Sequence, residues 1–150
     1  MLYNDNICSG KLYFTPDKYY LMHRSYEELK KHKADFRVKY KFKSTEDGGR
    51  KQSPFQGYRS DFSYSENSSE PAYMIFPEFE DTEGNVILEN DRPVPKEGTA
   101  RMWIVDPERR PIHQARIKVG EVCFFREGHI LSAKCEVIEI IALFENPVKF

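Results

Sequence analysis

The sequence predicts an all-β protein of antiparallel strands with one short helix near its start. A strict alternation of apolar and basic residues runs from Phe36 to Lys43, and a period of two marks a strand with one buried face. Turn-forming Gly, Pro, Asn and Asp residues recur between short apolar stretches in the remainder of the chain. The final third is rich in β-branched and aromatic residues, which favour strands. These observations together indicate six or seven strands in a small sandwich or barrel.

The composition bounds the class of protein. The chain has 150 residues, of which 39% are hydrophobic and 31% charged, as is typical of one soluble globular domain. The net charge of −1 argues against a protein that coats nucleic acid by charge alone. Three cysteines without paired spacing favour a reducing, cytoplasmic environment over a disulfide framework. No signal peptide and no apolar run of membrane-spanning length is apparent, so we expect no membrane association.

Residues 1–34 are predicted to form an N-terminal extension that carries the single helix. Ser25 and Glu28 have the spacing of a capping box, in which each side chain bonds a free amide of the first turn. Acidic residues follow the cap and basic residues come later, as the helix dipole prefers. We therefore expect a helix over residues 26–33.

The first long strand carries a basic face. In residues 36–43 four apolar side chains share one face, and Arg37, Lys39, Lys41 and Lys43 share the other. A solvated outer face is the ordinary explanation of any single lysine. Four cations in a row, followed by three more within 16 residues of the strand, indicate a basic surface patch.

Turn residues divide the rest of the chain. Gly48-Gly49 permit a turn, and Pro54 with Gly57 indicates an ordered loop over residues 50–59 with Gly49 or Gly57 at positive φ. A hairpin is predicted about Glu83-Gly84-Asn85. Further strands are predicted at 58–64, 72–76, 99–105, 112–119, 121–126 and 129–144, and the turns at Gly10 and Thr15-Pro16-Asp17 leave room for two short strands at 11–14 and 18–22. The apolar phases of the alternations predict that the core contains Phe36, Val38, Tyr40, Phe42, Trp103, Val105, Val122, Phe124, Val137 and Ile140.

Charge is distributed unevenly along the chain. Residues 24–59 contain 11 Lys and Arg against 5 Asp and Glu, whereas residues 60–91 contain 9 acids and no Lys or Arg. The two segments either pair across neighbouring strands and cancel or form a functional dipole.

The sequence contains no motif for catalysis. A Gly-rich phosphate loop ending in Gly-Lys-Ser/Thr is missing, and no nucleophile elbow is present. The four histidines have no partner at metal-ligand spacing, and clustered acids in residues 78–91 are typical of a solvated surface. We therefore expect no enzyme activity, no catalytic residue, no bound metal, no cofactor and no nucleotide.

The stretch GGRKQSPFQGYRSDFSY, residues 48–64, with the strand before it resembles the start of the third, C-terminal β-barrel domain of the elongation factor Tu family. The spacing from Gly48-Gly49-Arg50 through Tyr58-Arg59 to an aromatic strand matches that domain. The end of the chain has the same order of a Gly turn, a strand, a break, a second strand and a Gly hairpin. The resemblance covers about residues 35–141, and the acidic middle aligns poorly.

The resemblance implies an antiparallel Greek-key β-barrel of about six strands over residues 35–150, with the short helix preceding it. In the full factor this domain helps to hold aminoacyl-tRNA and contacts the nucleotide-exchange factor. GTP hydrolysis belongs to a separate domain, for which we expect no counterpart here. The resemblance thus implies a non-catalytic binding module whose partner is RNA or a protein.

Cations and one tyrosine about the loop are the candidate binding residues. The cations can neutralise phosphates, and the tyrosine can stack on a base. Alternatively, the two arginines brace the loop through backbone carbonyls or nearby acids, and the tyrosine packs beneath it. The candidates are Lys39, Lys41, Arg50, Lys51, Tyr58 and Arg59.

Departures from the family favour a protein partner as the alternative. Ser60-Asp61 stand where the family usually has Pro-Gln, and His129-Ile130 replace a Gly and an Arg after the Arg-Glu-Gly turn. The acidic segment 61–91 would repel phosphate. The second hypothesis is therefore a protein-interaction module that kept the barrel and lost tRNA binding.

Overall fold

The computed structural model describes residues 22–148, in which six strands and two short α-helices alternate with turns. Neither helix of this part is long and apolar enough to cross a membrane. In chain order the elements are α1 (Tyr26–Lys30), β1 (Phe36–Phe42), β2 (Asp61–Ser63), β3 (Ile75–Phe79), β4 (Glu97–Ile104), α2 (Arg110–Arg116), β5 (Val122–Glu127) and β6 (Ile130–Ile140), with 3-10 turns at Thr45–Asp47 and Pro107–Arg109.

The six strands form one antiparallel sheet in the order β2-β5-β6-β1-β4-β3. Only β3–β4 and β5–β6 join sequence neighbours, so the chain crosses between non-adjacent positions, as in a Greek-key barrel. The sheet curls into a half-barrel. Its two edges meet where Phe62 and Tyr73 exchange two backbone hydrogen bonds of 2.8 Å. The predicted antiparallel barrel fold with a short N-terminal helix is confirmed.

The inner face of β1 supplies the centre of the core. Phe36, Val38, Tyr40 and Phe42 are all buried, and the cations that alternate with them point to the outer face. Tyr40 packs edge-on against Phe79 at a centroid distance of 5.1 Å, a favourable aromatic geometry. The predicted register of this strand is confirmed because a slip of one residue would have placed lysines inside.

The predicted phase of β5 is wrong at Val122. This residue is 40% exposed, whereas Cys123 and Phe125 lie in the core. Phe124 is buried as predicted. Residues 122–125 read Val-Cys-Phe-Phe, so both phases of the strand are apolar and the alternation contains nothing that fixes which one faces inward.

Two predicted core residues lie at strand ends and are only half-buried, namely Val105 after β4 and Ile140 at the end of β6. Trp103 and Val137 are buried as predicted. Cys123 and Cys135 are buried free cysteines opposite one another on β5 and β6, consistent with small core residues.

The predicted strand at 112–119 is wrong, because these residues begin within helix α2. Asp106 caps the preceding 3-10 turn by accepting from the Glu108 amide at 3.0 Å. Buried positions then occur at Arg110, His113 and Ile117, a spacing of three and four that belongs to a helix. The described part of the chain therefore has a second helix that the sequence did not predict.

Helix α1 is shorter than predicted. Ser25 caps it by accepting from the Glu28 amide at 3.2 Å, as the capping box predicts. The helix ends where Lys31 takes a left-handed φ of 64° and donates its amide to the Glu27 carbonyl, a conformation with which many helices end.

Residues 22–33 dock α1 on the outer face of β4 over Trp103. Tyr26 meets the indole edge-on at 5.8 Å. The buried Glu78 accepts from Trp103 Nε1 at 3.1 Å and from the Tyr26 amide at 2.8 Å, and its carboxylate lies 2.6 Å from His23 Nε2. One carboxylate thus ties the N-terminal segment to the sheet.

Other local predictions have mixed outcomes. The hairpin at Gly84 is confirmed by its φ of 84° and by the Asp81 amide, which donates to the Asn85 carbonyl at 2.7 Å. The strand predicted at 72–76 lies three residues later. The strands predicted at 11–14 and 18–22 fall outside the described residues, apart from Met22, which forms an isolated bridge to Glu89.

Candidate nucleic-acid interface

An open groove of about 1050 Å³ lies on the outer side of β1. The strand forms its floor. The segment from Lys43 to Ser53 borders it at the end of β1, and residues 96–99 and 134–136 border it on β4 and β6. The charged side chains that line it are the cations Lys39, Lys41, Lys43, Arg50, Lys96 and Lys134 and the acids Asp47, Glu97 and Glu136.

The positive charge of β1 increases toward this groove. At the start of the strand, Arg37 is neutralised by Glu80 at 2.8 Å and by Glu139 at 3.1 Å. Lys39 approaches Glu136 at 3.4 Å, and both side chains are well exposed, so this pair contributes little. Part of the basic face is therefore compensated by acids, but only Glu80 belongs to the acidic segment 60–91. The other two acids, Glu136 and Glu139, come from β6.

Lys41 has a like charge directly opposite it. In the β1–β6 register its partner is Lys134, and in the β1–β4 register its partner is Glu97. Like charges opposite each other destabilise a sheet. Neither Lys41 nor Lys134 forms an ion pair with any residue in the range 22–148, Glu97 included, so both ammonium groups remain free of a direct contact with an acid.

Arg50 braces the loop that borders the groove. Its Nε donates to the Gln52 carbonyl at 3.1 Å, and one terminal nitrogen donates to Glu127 at 2.9 Å. Its guanidinium also lies 5.4 Å from the centroid of the Tyr58 ring. Arg50 therefore serves the loop structurally, and Glu127 partly compensates the charge that it brings to the groove.

Tyr58 packs beneath the loop. Its ring contacts Phe42, Phe79 and Phe125, and its hydroxyl donates to Glu127 and lies 2.8 Å from Ser132 Oγ. Burial raises the pKa of the Tyr58 hydroxyl well above its ordinary value, and the hydrogen-bonded Glu127 carboxylate adds to that effect. The structure thus places this ring in the core packing, where it does not present a face to a base.

The loop itself is anchored, as predicted. The buried Gln56 amide donates to the Phe79 and Ile87 carbonyls at 2.9 and 2.8 Å, and its oxygen accepts from the Phe79 amide at 2.9 Å. These bonds also cover the free edge of β3, where Pro77 has no amide to offer. Gly57 has the predicted positive φ, at 98°.

Gly49 is required because of a close approach of two backbone segments, and not because of a positive φ. It has no positive φ, but a Cβ at this position would lie 2.1 Å from the Lys43 carbonyl oxygen. The loop therefore folds back against the end of β1 through a contact that only glycine permits.

Lys51 and Arg59 lie outside the groove. Lys51 is exposed, and the Arg59 guanidinium lies 5.7 Å from the centroid of Phe76. Among the candidates, Lys39, Lys41 and Arg50 line the groove, whereas Lys51, Tyr58 and Arg59 do not.

Sequence reasoning did not include Lys96 and Lys134 among the candidates. Lys134 has a visible signal, since it is the polar position between Ala133 and Cys135 in a strand. Its relevance depends on the sheet order, which places β6 beside β1, and a single sequence does not reveal that order.

The chain was compared with known protein families and with curated proteins. No model of a known protein family matches the chain, and no curated protein matches it. In residues 22–148 no group of three His, Cys, Asp or Glu side chains is arranged to hold a metal ion.

Proposed function

We propose that the protein is a non-catalytic binding module of translation-elongation-factor descent that contacts RNA through the basic groove. The observation that carries this proposal is the opposition of Lys41 and Lys134. A protein selected for stability alone gains nothing from directly opposed like charges, whereas a phosphate between them would be held by both. The family resemblance of residues 48–64 and the antiparallel half-barrel support the proposed descent.

The groove replaces the loop as the proposed contact surface. Two of the loop's candidates, Arg50 and Tyr58, already have partners within the protein. Lys41 of β1 and Lys134 of β6 have no ion-pair partner within residues 22–148, and they lie on a concave surface, which concentrates their field.

A labelled RNA and a charge variant test the proposal. The wild-type protein should bind a fluorescein-labelled RNA in an anisotropy titration, and affinity should fall steeply between 50 and 200 mM salt as released counterions predict. The double variant Lys41→Gln/Lys134→Gln should lose at least about tenfold in affinity, because two charge-assisted phosphate contacts of roughly 1 kcal/mol each disappear.

A matched control removes two cations that lie elsewhere. Lys51→Gln/Arg59→Gln has the same change in net charge, and it should bind RNA with an affinity within about twofold of wild type. Equal losses in the two double variants would show that net charge, and not the groove, determines binding.

The alternative function is a protein-interaction module. It is favoured by exposed acids on the loops between β2 and β4, namely Glu66, Glu70, Asp81, Glu83, Glu89 and Asp91. If no RNA binds at 50 mM salt, this alternative replaces the RNA proposal.

A further inference from the structure

We infer that the groove holds a single polynucleotide strand by its phosphate backbone, with the bases directed away from the protein. This inference rests on the proposed function and narrows it in two respects, to one strand and to recognition that is independent of base identity.

The spacing of the cations matches a linear chain of phosphates. Lys39 and Lys41 occupy alternate positions on the outer face of β1, and Lys43 is the next alternate position, one residue beyond the end of the strand. Along an extended backbone the side chains of alternate residues start about 6.7 Å apart. This is comparable to the step between successive phosphates of an extended strand. The backbone of the ligand would run parallel to β1.

Two strands converge on one phosphate. Lys41 and Lys134 are directly opposite in the register of β1 and β6, and neighbouring strands lie about 4.8 Å apart. Their flexible stems can therefore reach the same phosphate from two sides. Lys43, which has no ion pair in the described part of the chain, is placed for the next phosphate.

The groove offers little to bases. The aromatic residues that line it, Tyr40 and Phe42, are only 3% and 7% exposed, because their rings point into the core. Stacking on an open aromatic face contributes about 1–3 kcal/mol per base in proteins that bind single strands. Among the described lining residues no such face exists, so binding should depend on charge and length and not on base identity.

The arrangement also disfavours a duplex. Lys39, Lys41 and Lys43 follow one line along the floor of the groove, with Lys134 of β6 on one side and Lys96, just before β4, on the other. A double helix presents two backbones on a wide, rigid cylinder, and double-stranded RNA is recognised by its shape through contacts to phosphates and 2′-hydroxyls across a wide, shallow minor groove. A single line of cations follows one backbone only. A volume of about 1050 Å³ is near the upper end for small-molecule sites, and it accommodates only a few nucleotides of one strand.

Salt dependence measures the number of phosphates. Single strands follow a slope of about −0.7 per neutralised phosphate in a plot of log affinity against log salt. Three contacts, at Lys41 with Lys134, at Lys43 and at Lys39, predict a slope of about −2. Lys43→Gln should reduce the slope to about −1.4, whereas Arg59→Gln should leave it unchanged.

The experiment compares four ligands in anisotropy titrations at equal salt. Labelled 12-residue oligo(U), oligo(C) and a 12-base-pair RNA duplex are titrated with the protein, and inorganic polyphosphate is used as a competitor of the oligo(U) complex. We expect oligo(U) and oligo(C) to bind within about threefold of each other, the duplex to bind at least tenfold more weakly, and polyphosphate to displace oligo(U).

The outcomes separate this inference from the proposed function. A duplex that binds as tightly as oligo(U) would overturn the single-strand inference and leave RNA binding intact. A tenfold preference between oligo(U) and oligo(C), or failure of polyphosphate to compete, would overturn backbone-only recognition. Absence of binding to every polynucleotide would overturn both. Melting curves of the Lys43→Gln and Arg59→Gln variants exclude misfolding as the cause of any change.

Discussion

Asp35 and Arg110 form an ion pair from which water is excluded, with the two side chains 0% and 2% exposed. Asp35 Oδ2 also accepts from the Ile104 amide at 2.8 Å, and Asn146 donates to Asp35 Oδ1 at 2.8 Å. Arg110 donates through Nε to the Pro147 carbonyl at 2.7 Å. This cluster joins the start of β1, the end of β4, helix α2 and the segment after β6.

Removing one member of this pair should destabilise the fold strongly. Asp35→Ala leaves a buried, uncompensated guanidinium, and such losses cost about 3–5 kcal/mol. Urea denaturation measures the free energy of unfolding. The control is Lys39→Gln, which breaks an exposed pair with Glu136 and should cost less than about 1 kcal/mol. Similar losses in both variants would contradict the role given to the buried cluster.

His113 should make stability sensitive to acid. Burial lowers the pKa of His113 to about 4, and the positive charges of Arg110 and Arg116 contribute. In the unfolded chain the pKa returns to about 6.5. The unfolded state therefore binds more protons between these values, so the stabilisation is complete above about pH 6.5 and is lost as the pH falls toward 4.

The size of this effect and its test follow from the depressed pKa. A difference of roughly 2.5 pKa units corresponds to about 3 kcal/mol. Urea unfolding at pH 7, 6 and 5 should show declining stability in the wild type and a flatter profile in His113→Phe. This variant also loses the 2.6 Å contact between Tyr64 and His113 Nδ1. The change in stability with pH is therefore measured for each protein relative to its own stability at pH 7. An equal pH slope in both proteins would assign the acid sensitivity to other groups.

Arg126 is a second buried arginine and, unlike Arg110, it has no ion pair within residues 22–148. It is 3% exposed, and within residues 22–148 its one hydrogen bond is a 3.4 Å contact to the Glu70 carbonyl. Its Nε and one terminal nitrogen have no partner. Buried charges without compensation cost stability, and replacing them with apolar side chains of similar volume is often neutral or favourable.

Arg126→Met should therefore leave the free energy of unfolding unchanged or raise it by about 1 kcal/mol, as measured by the urea midpoint. Lysine at the same position should lower it, because the charge remains while the planar group is lost. A loss of more than about 2 kcal/mol in Arg126→Met would show that the guanidinium has a stabilising partner and would contradict this prediction.

The sequence predicts those parts of the fold in which a polar phase fixes the pattern. β1 has a cation at every second position, so its register follows from sequence alone. The stretch 122–125 lacks a polar phase, and its register is set by pairing with β6. The sequence predicts a strand where helix α2 lies, because two of the buried residues of this helix, Arg110 and His113, are polar and hide its helical period.

The candidate site shows the same limit. Lys39 and Lys41 could be found because they belong to one regular strand. Lys96 and Lys134 join them only because β4 and β6 flank β1 in the sheet, and pairing between distant segments is not encoded in local periodicity. The sequence leaves two alternatives for Tyr58, stacking on a base or packing beneath the loop, and the long-range contacts of its ring with Phe42, Phe79 and Phe125 select the second.

Gly49 links the stability of the loop to the groove, and two alanine variants test this link. In Gly49→Ala the new Cβ would collide with the Lys43 carbonyl, a backbone atom that cannot rotate away, so the segment from Lys43 to Ser53 must shift. Gly48→Ala places a Cβ in open space at a φ of 86° and should cost only about 1–2 kcal/mol of backbone strain. We expect both variants to have a lower melting temperature than the wild type. Only Gly49→Ala should weaken RNA binding, by about fivefold or more, because the border of the groove moves. Equal RNA affinity in the two variants, measured by anisotropy at a temperature where both are folded, would show that this segment does not shape the binding surface.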